Sequence, residues 1–167
     1  DAVIVGGGTV RADDPLLTSR GRRDPEPLRV VLSRGLDLPA EAQLWDTASA
    51  ATLVAHGPEA AGKQAPNGPE RLELEQCEPL PLMQHLAARG CNQVLWECGS
   101  ELAAAAIRQG CVQEVAAVLA PKLMGGIAAR TPLGELGFTA MDQVLCGQLL
   151  PPRPIGDDWL LSLRLGG

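Results

Sequence analysis

The chain has 167 residues, of which 46% are hydrophobic, enough for one substantial core and too few for two ordinary domains. Residues 1–167 are therefore expected to form a single domain. The 14 Lys and Arg residues against 20 Asp and Glu residues give a net charge of −6. No basic run carries aromatic side chains, which argues against a nucleic-acid partner. No stretch approaches the roughly 18 apolar residues of a membrane span, so no membrane association is predicted either.

The five cysteines include no C-x-x-C pair, and only two histidines accompany them. This arrangement predicts no structural zinc site. Most of the thiols lie in or beside apolar runs, which favours reduced cysteines packed in a core. The cysteines therefore indicate a reducing compartment, which is the cytoplasm or, in a plant or alga, an organelle stroma.

Short apolar runs separated by Gly and Pro alternate with two helical stretches, which is the pattern of an α/β protein. The predicted strands cover residues 2–5, 28–32, 52–55, 71–74, 94–97 and 115–120. Residues 57–70 are rich in Gly, Pro and Ala and predict a surface loop.

The segment from residue 80 to residue 121 predicts helix, strand, helix, strand. Gly90 and Gly110 stand where the helices end, and Ser100 stands where the second helix is expected to be capped. Residues 94–121 then form a βαβ unit whose two strands are expected to be parallel neighbours.

Residues 143–165 contain two apolar runs around the turn-rich PPRPIGDD and predict an antiparallel hairpin that closes the sheet. The predicted fold class is therefore α/β, with a mixed, mainly parallel sheet flanked by helices and an antiparallel C-terminal hairpin.

The stretch VGGGTVRADD raises the question of a dinucleotide-binding fingerprint. The pattern G-x-G-x-x-G needs a third glycine, but Gly6, Gly8 and Arg11 occupy its three places. The next strand ends in Ser33 and Arg34, where the fingerprint expects an acidic residue. A Rossmann site is thus disfavoured. Two readings remain: a strand that delivers an N–H-rich turn to a ligand, or a solvated turn with a charged loop.

A second glycine turn, ECGSEL, follows the strand at residues 94–97 and opens a helix. Unsatisfied N–H groups and the positive end of the helix dipole attract anions at such a helix start. Glu97 stands at the carboxyl end of its strand, where ligands bind in open α/β sheets. The alternatives are an ordinary strand-to-helix turn and a Glu97 that pairs with a surface arginine.

Two further features have two readings each. The segment APKLMGGIAARTPLG, residues 120–134, either lines a cofactor groove or forms a long loop. Arg34 either faces a 2′-phosphate, since a cation at that position favours NADP over NAD, or is simply solvated.

Together, VGGGTVRADDPLLTSR, PLRVVL, ECGSELAAA and APKLMGG with ARTPLGELG resemble the reductase domain of the bifunctional riboflavin-biosynthesis deaminase/reductase. The similarity extends from residue 1 to about residue 141. It implies a dihydrofolate-reductase-like fold and the NADPH-dependent reduction of 5-amino-6-(5-phosphoribosylamino)uracil to its ribitylamino product.

The resemblance also implies site residues, position by position. The substrate contacts fall on Leu17, Arg20 and Glu97. The cofactor contacts fall on Thr9, Asp13, Arg34, Gly99, Ser100, Glu101, Leu102, Ala103, Ala104 and Ala105. No metal and no catalytic residue is implied, and the ligands are NADPH and a phosphoribosylaminopyrimidine.

Two features of the family are missing from this sequence: a preceding strand, turn and helix, and the zinc-binding deaminase domain. The expected fold therefore lacks its first strand and helix, and no deaminase activity is predicted. Two other functions stay open: a noncatalytic domain that binds NADPH or a pteridine-like ligand, and another pyrimidine or folate-type reductase on the same fold. A homodimer formed through an edge strand or hairpin is expected.

Overall fold

A computed structural model describes residues 1–123, 125–126 and 131–166. Its strands and helices, in chain order, are β1 (Ala2–Gly6), α1 (Gly7–Asp13), β2 (Leu28–Leu32), β3 (Thr52–His56), β4 (Glu70–Glu73), α2 (Pro79–Ala88), β5 (Val94–Trp96), α3 (Ser100–Arg108), β6 (Glu114–Leu119), β7 (Gly147–Leu149), β8 (Arg153–Ile155) and β9 (Asp158–Leu165). Single 3-10 turns lie at Gln43–Trp45, Pro58–Ala60 and Met141–Gln143. The second of these turns falls within the segment predicted as a surface loop. Each predicted strand is present, with its ends within one residue of the prediction.

Five strands form a wholly parallel sheet in the order β4-β3-β2-β1-β5. Its inner strands are mostly apolar, as expected for strands that are covered on both faces, although Arg29, Thr52 and His56 are also buried in them. Because side chains alternate across a strand, Ile4 and Leu53 pack on one face with Leu82 and Leu86 of α2. Val5, Val31 and Val54 pack on the other face with Val10 of α1 and Leu44.

A second, antiparallel sheet is built on the long strand β9. Strand β6 pairs along one side of β9, from Glu114 opposite Arg164 to Leu119 opposite Trp159. Strands β7 and β8 pair along the other side. They are separated at residues 150–152, where two prolines cannot donate to the ladder. None of the residues in these four strands is buried.

The predicted combination of a parallel sheet and an antiparallel hairpin is confirmed, but the predicted pairing of β5 with β6 is wrong. Strand β5 pairs with β1, whereas β6 pairs with β9 in the second sheet. The C-terminal hairpin therefore closes onto β6 and does not extend the parallel sheet. The lengths explain the difference, since β5 offers only 3 residues for pairing and β9 offers 8.

The carboxyl ends of the parallel strands lie along one edge of their sheet, because all five strands run in the same direction. Strand β1 leads there into Gly7, β2 into Ser33 and β5 into Glu97. This edge is where ligands bind in open parallel sheets. No helix among residues 1–123, 125–126 and 131–166 is long and apolar enough to cross a membrane.

Candidate functional site

A crevice of about 1350 Å³ opens along this edge. Its walls come from the start of α1, the end of β2, the start of α2 and the turn between β5 and α3. The two glycine turns singled out in the sequence therefore face one space. They are also close together, since a Cβ placed on Gly99 would lie 3.9 Å from Oγ1 of Thr9.

The three opening glycines have different surroundings. A Cβ on Gly7 would lie 2.9 Å from Oγ of Ser33, and one on Gly6 would lie 3.4 Å from Cδ2 of Leu102. Gly7 is therefore needed for the close approach of the start of α1 to Ser33, whereas a Cβ on Gly6 would make an ordinary contact with Leu102. Gly8 is exposed, and its nearest neighbour for a Cβ is 4.0 Å away on Arg11. The expected glycine-rich turn is thus the first turn of a short helix, α1.

The start of α3 differs by one residue from the prediction. Gly99 is the N-cap, Ser100 is the first helical residue, and no side chain of the described residues caps the helix. The carbonyl of Gly99 accepts a hydrogen bond from the N–H of Ala103 at 3.0 Å, so the glycine already fills the N-cap position that Ser100 was expected to take. The N–H groups of Ser100, Glu101 and Leu102 are left without a capping side chain. Such groups form an anion site at the positive end of a helix dipole.

Glu97 extends the pairing of β5 by one hydrogen bond, from its N–H to the carbonyl of Ile4 at 2.9 Å. Its side chain is exposed and lines the crevice. The ion pairs found among the described residues do not include Glu97. The alternative in which Glu97 merely pairs with a surface arginine is therefore not what the structure contains.

The structure brings most of the predicted site residues to the crevice. Those that line it are Thr9, Asp13, Leu17, Arg34, Glu97, Gly99, Ser100, Glu101, Leu102 and Ala105. Arg20, Ala103 and Ala104 do not line it. Ala104 lies on the buried face of α3, 1% exposed, and Arg20 lies on an exposed turn with a left-handed backbone, φ 56°. The contacts of all these residues with ligands stay predictions.

Arg34 stands at the rim of the crevice, directly after β2. Its Nε is 3.7 Å from Oε1 of Glu59, and its side chain is 74% exposed. An exposed pair of this kind is weak. Breaking the pair with Glu59 therefore costs the guanidinium of Arg34 little free energy when it binds another anion.

The sequence did not reveal the wall formed by α2. Cys77, Glu78 and Pro79 line the crevice there, together with Gln109 from the end of α3. The amide of Gln109 joins the two helices: its Nε2 donates to Oε2 of Glu78 at 2.8 Å, and its Oε1 accepts from the N–H of Leu80 at 2.8 Å. The partners are about 30 residues apart, so no local pattern could have indicated this contact.

The segment predicted either to line a groove or to form a long loop contributes to the crevice. Thr131 and Pro132 line it, and Gly134 donates its N–H to the carbonyl of Ser100 at 2.9 Å. Residues 124 and 127–130 of the segment lie outside the described residues.

The crevice also contains two cysteines with perturbed thiols. Burial raises the pKa of Cys77 to about 11, with a smaller contribution from Glu59, and burial alone raises the pKa of Cys98 to about 11. Both thiols are therefore neutral at neutral pH and act as apolar lining, since the thiolate is the reactive form. Within the described ranges, no three His, Cys, Asp or Glu residues gather as metal ligands.

Comparison with known proteins identifies the family of this chain. The family model described as the RibD C-terminal domain matches residues 1–161. The chain belongs to this family. RibD from Synechocystis sp. is 53% identical over 171 residues, which cover 99% of this chain and 46% of that protein.

Two further proteins extend the comparison. The 2,5-diamino-6-ribosylamino-4(3H)-pyrimidinone 5′-phosphate reductase of Aquifex aeolicus is 27% identical over 158 residues, covering 87% of this chain and 67% of that protein. The structure of Acinetobacter baumannii RibD superimposes with a TM-score of 0.80 at 31% identity, covering 99% of this chain and 47% of that one. The likeness confirms the predicted dihydrofolate-reductase-like fold. The chain spans about half the length of the two RibD proteins.

Proposed function

We propose that this chain is an NADPH-dependent reductase that converts 5-amino-6-(5-phosphoribosylamino)uracil into 5-amino-6-(5-phosphoribitylamino)uracil during riboflavin biosynthesis. The observation that carries the proposal is the single crevice onto which the opening glycines and the uncapped start of α3 both face. Membership of the RibD C-terminal domain family supports this reaction class. So does the reductase name of the Aquifex relative.

The crevice residues fit a dinucleotide. The uncapped N–H groups of Ser100, Glu101 and Leu102 suit a pyrophosphate. Gly99 and Gly8 leave the backbone open to a close approach. Arg34 lies at the rim beyond β2, and we assign it to the 2′-phosphate of the cofactor. The volume of about 1350 Å³ exceeds the roughly 300–1,000 Å³ of ordinary small-ligand pockets, so it leaves space for a second ligand.

The pyrimidine substrate is assigned to the wall formed by Leu17 and Glu97. The exposed carboxylate of Glu97 is a hydrogen-bond acceptor suited to the amino groups of the pyrimidine or to the ribosyl chain. Arg20 follows Leu17 by three residues on an exposed turn outside the crevice lining. We retain it as the proposed ligand of the substrate phosphate, because a guanidinium binds phosphate through paired donors.

The chemistry itself would belong to the bound cofactor, which would supply a hydride to C1 of the opened ribose imine, while water would supply the proton taken up by the imine nitrogen. The part of the protein is to hold the two ligands in a reactive geometry. Cys77 and Cys98 line the crevice as neutral thiols and add weakly polar surface to its walls. No nucleophile and no metal takes part in this proposal.

The experiment that tests the proposal follows NADPH absorbance when the purified chain meets the uracil substrate. Glu97→Gln is expected to raise the substrate KM or lower kcat by at least about tenfold, because it removes a charged hydrogen-bond acceptor. Arg20→Ala is expected to raise the substrate KM by a similar factor. The matched controls are Glu75→Gln and Arg22→Ala, whose exposed side chains lie outside the crevice.

The outcomes separate the alternative functions. NADPH binding without oxidation favours a noncatalytic ligand-binding domain. Oxidation with the diamino-pyrimidinone of the Aquifex relative, but not with the uracil, favours a reductase with that other pyrimidine substrate. Unchanged turnover in both Glu97→Gln and Arg20→Ala contradicts the substrate assignment.

We also propose that the chain forms a homodimer through its antiparallel sheet. The pairing register places Leu119, Trp159 and Pro154 side by side on one face. Val115, Leu163 and Leu149 lie further along the same face. Leu119 is 59% exposed, Leu149 59% and Trp159 48%, and exposed apolar faces of this kind are typical of subunit contacts. For the compartment, we retain the proposal of cytoplasm or organelle stroma.

A further inference from the structure

The loop between α1 and β2 forms a wall of the crevice although it contains no helix or strand. Pro15 and Leu17 line the crevice, and Leu17 has a left-handed backbone with φ 53°. A non-glycine residue is strained in that conformation and keeps it only when its surroundings impose it. The loop therefore needs contacts from elsewhere in the molecule.

Arg29 supplies one of these contacts from the interior. Its side chain is 0% exposed, on β2. Nη1 donates to the carbonyl of Leu16 at 3.2 Å. Nη2 donates to the carbonyls of Leu44 at 3.1 Å, Asp46 at 2.7 Å and Ala50 at 2.7 Å. One terminal nitrogen thus binds the loop between α1 and β2, residues 14–27, which we call the crevice loop. The other binds the segment between β2 and β3, residues 33–51, which we call the scaffold.

The buried charge of Arg29 makes these bonds strong. Burial lowers the pKa of Arg29, and the carboxylates of Asp46 and Glu26 act in the opposite direction. A guanidinium nevertheless stays protonated in proteins. The carbonyl oxygens therefore face a permanent cation, and hydrogen bonds to a charged donor are stronger than neutral ones.

Glu26 holds the other end of the same loop. Its Oε2 accepts a hydrogen bond from the N–H of Ser19 at 2.6 Å, and its Oε1 accepts one from Oγ of Ser19 at 2.7 Å. The hydrogen bonds from Ser19 lower the pKa of Glu26, and the N–H of Gly21 adds to this effect. The carboxylate is therefore ionised at neutral pH and anchors Ser19.

We propose that Arg29 and Glu26 are positioning residues that fix residues 15–19 as the substrate-side wall of the crevice. Neither side chain lines the crevice itself, so both act through the backbone of Leu16 and Ser19. The inference rests on the proposed function, which assigns this wall to the pyrimidine. The effect of losing either residue is therefore expected on the substrate KM and not on cofactor affinity at α3.

The first test is Arg29→Lys. Lysine has a single terminal nitrogen, which cannot serve both the crevice loop and the scaffold. We expect the substrate KM to rise about tenfold while the cofactor Kd changes less than about twofold. The control is Thr52→Val, because Oγ1 of Thr52 donates to the carbonyl of Leu44 at 2.8 Å. This variant weakens only the scaffold, so it is expected to lower Tm and leave the substrate KM unchanged.

The second test keeps the inference falsifiable if Arg29→Lys fails to fold. Glu26→Ala removes both acceptors of Ser19 at the surface and is expected to raise the substrate KM about threefold. Its matched control is Glu75→Ala. Amide hydrogen exchange of residues 14–22 is expected to accelerate at least about threefold in Glu26→Ala and Arg29→Lys, and not in either control.

Three outcomes decide whether Arg29 and Glu26 position the crevice loop. Unchanged exchange of residues 14–22 in the folded variants overturns the positioning role, whether or not the chain reduces a pyrimidine. A substrate KM and a cofactor Kd that rise together in Arg29→Lys and Thr52→Val also overturn it, because that result reflects a general loss of structure. If the wild-type chain does not oxidise NADPH, the proposed function fails, and the exchange experiment alone then supports or overturns the anchoring.

Discussion

The two sheets of this protein differ in how far their apolar side chains are buried. In the parallel sheet, Ile4, Val30 and Leu53 are 0% exposed, and helices or turns cover both faces. In the antiparallel sheet no residue of β6 to β9 is buried, although Leu119, Leu149 and Trp159 share an apolar face. The parallel sheet therefore holds the buried core of its region and carries the crevice, whereas the antiparallel sheet leaves an apolar face exposed.

The largest effect that tests this contrast is on stability. Leu53→Ala is expected to lower the free energy of unfolding by about 2–5 kcal/mol, because it leaves a cavity between packed strands. Leu149→Ala, at a residue that is 59% exposed, is expected to change it by less than about 0.5 kcal/mol. Urea unfolding of both variants measures the difference. Equal losses would contradict the division between a buried and an open sheet.

A smaller effect is expected on assembly. The double variant Leu119→Ser, Trp159→Ser removes a cross-strand apolar pair from the proposed dimer face. We expect it to weaken dimerisation at least about tenfold, or about 1.4 kcal/mol, as measured by light scattering during size-exclusion chromatography. Ile155→Ser is the control, because Ile155 is also exposed but adjoins Pro154 in β8 and so faces the opposite side. A wild-type chain that is monomeric at all concentrations would remove the dimer proposal.

The smallest effect is a difference in thiol reactivity between the two regions. Cys146 is exposed before β7, whereas Cys77 is buried beneath the crevice. With its pKa raised to about 11, Cys77 has about one thiolate in a thousand at pH 8. Because the thiolate is the reactive form, the reactivity of Cys77 is expected to rise with pH until the pH reaches about 11.

Iodoacetamide followed by peptide mass spectrometry is therefore expected to label Cys146 first at pH 8. Cys77 is expected to be labelled only as the pH approaches 11. Equal labelling of the two cysteines at pH 8 would show that the crevice wall opens more readily than its packing suggests.

The parts of the fold that the sequence predicted are those governed by local rules. Strand β2 is found at its predicted bounds because LRVVL is a short apolar run between turn residues. The meeting of the two glycine turns was predictable as well, since parallel strands end at one edge of a sheet. Ser100 was misplaced by one position because glycine and serine are both suited to an N-cap.

The parts that the sequence did not predict depend on long-range contacts. Strand β6 pairs with β9 across 40 to 50 residues of sequence, and nothing in EVAAVL distinguishes that partner from β5. The bond from Arg29 to Leu16 and the bridge from Gln109 to Glu78 likewise join distant segments. A single arginine within LRVVL carries no sign of the four carbonyl groups it contacts.

The distribution of the three tryptophans has a practical consequence. Trp45 packs with the scaffold below α1, with its indole N–H bonded to the carbonyl of Pro39 at 3.0 Å. Trp96 lines the crevice, and Trp159 lies on the open sheet. Variants that keep one indole at a time would thus give separate fluorescence signals for unfolding, ligand occupancy and self-association.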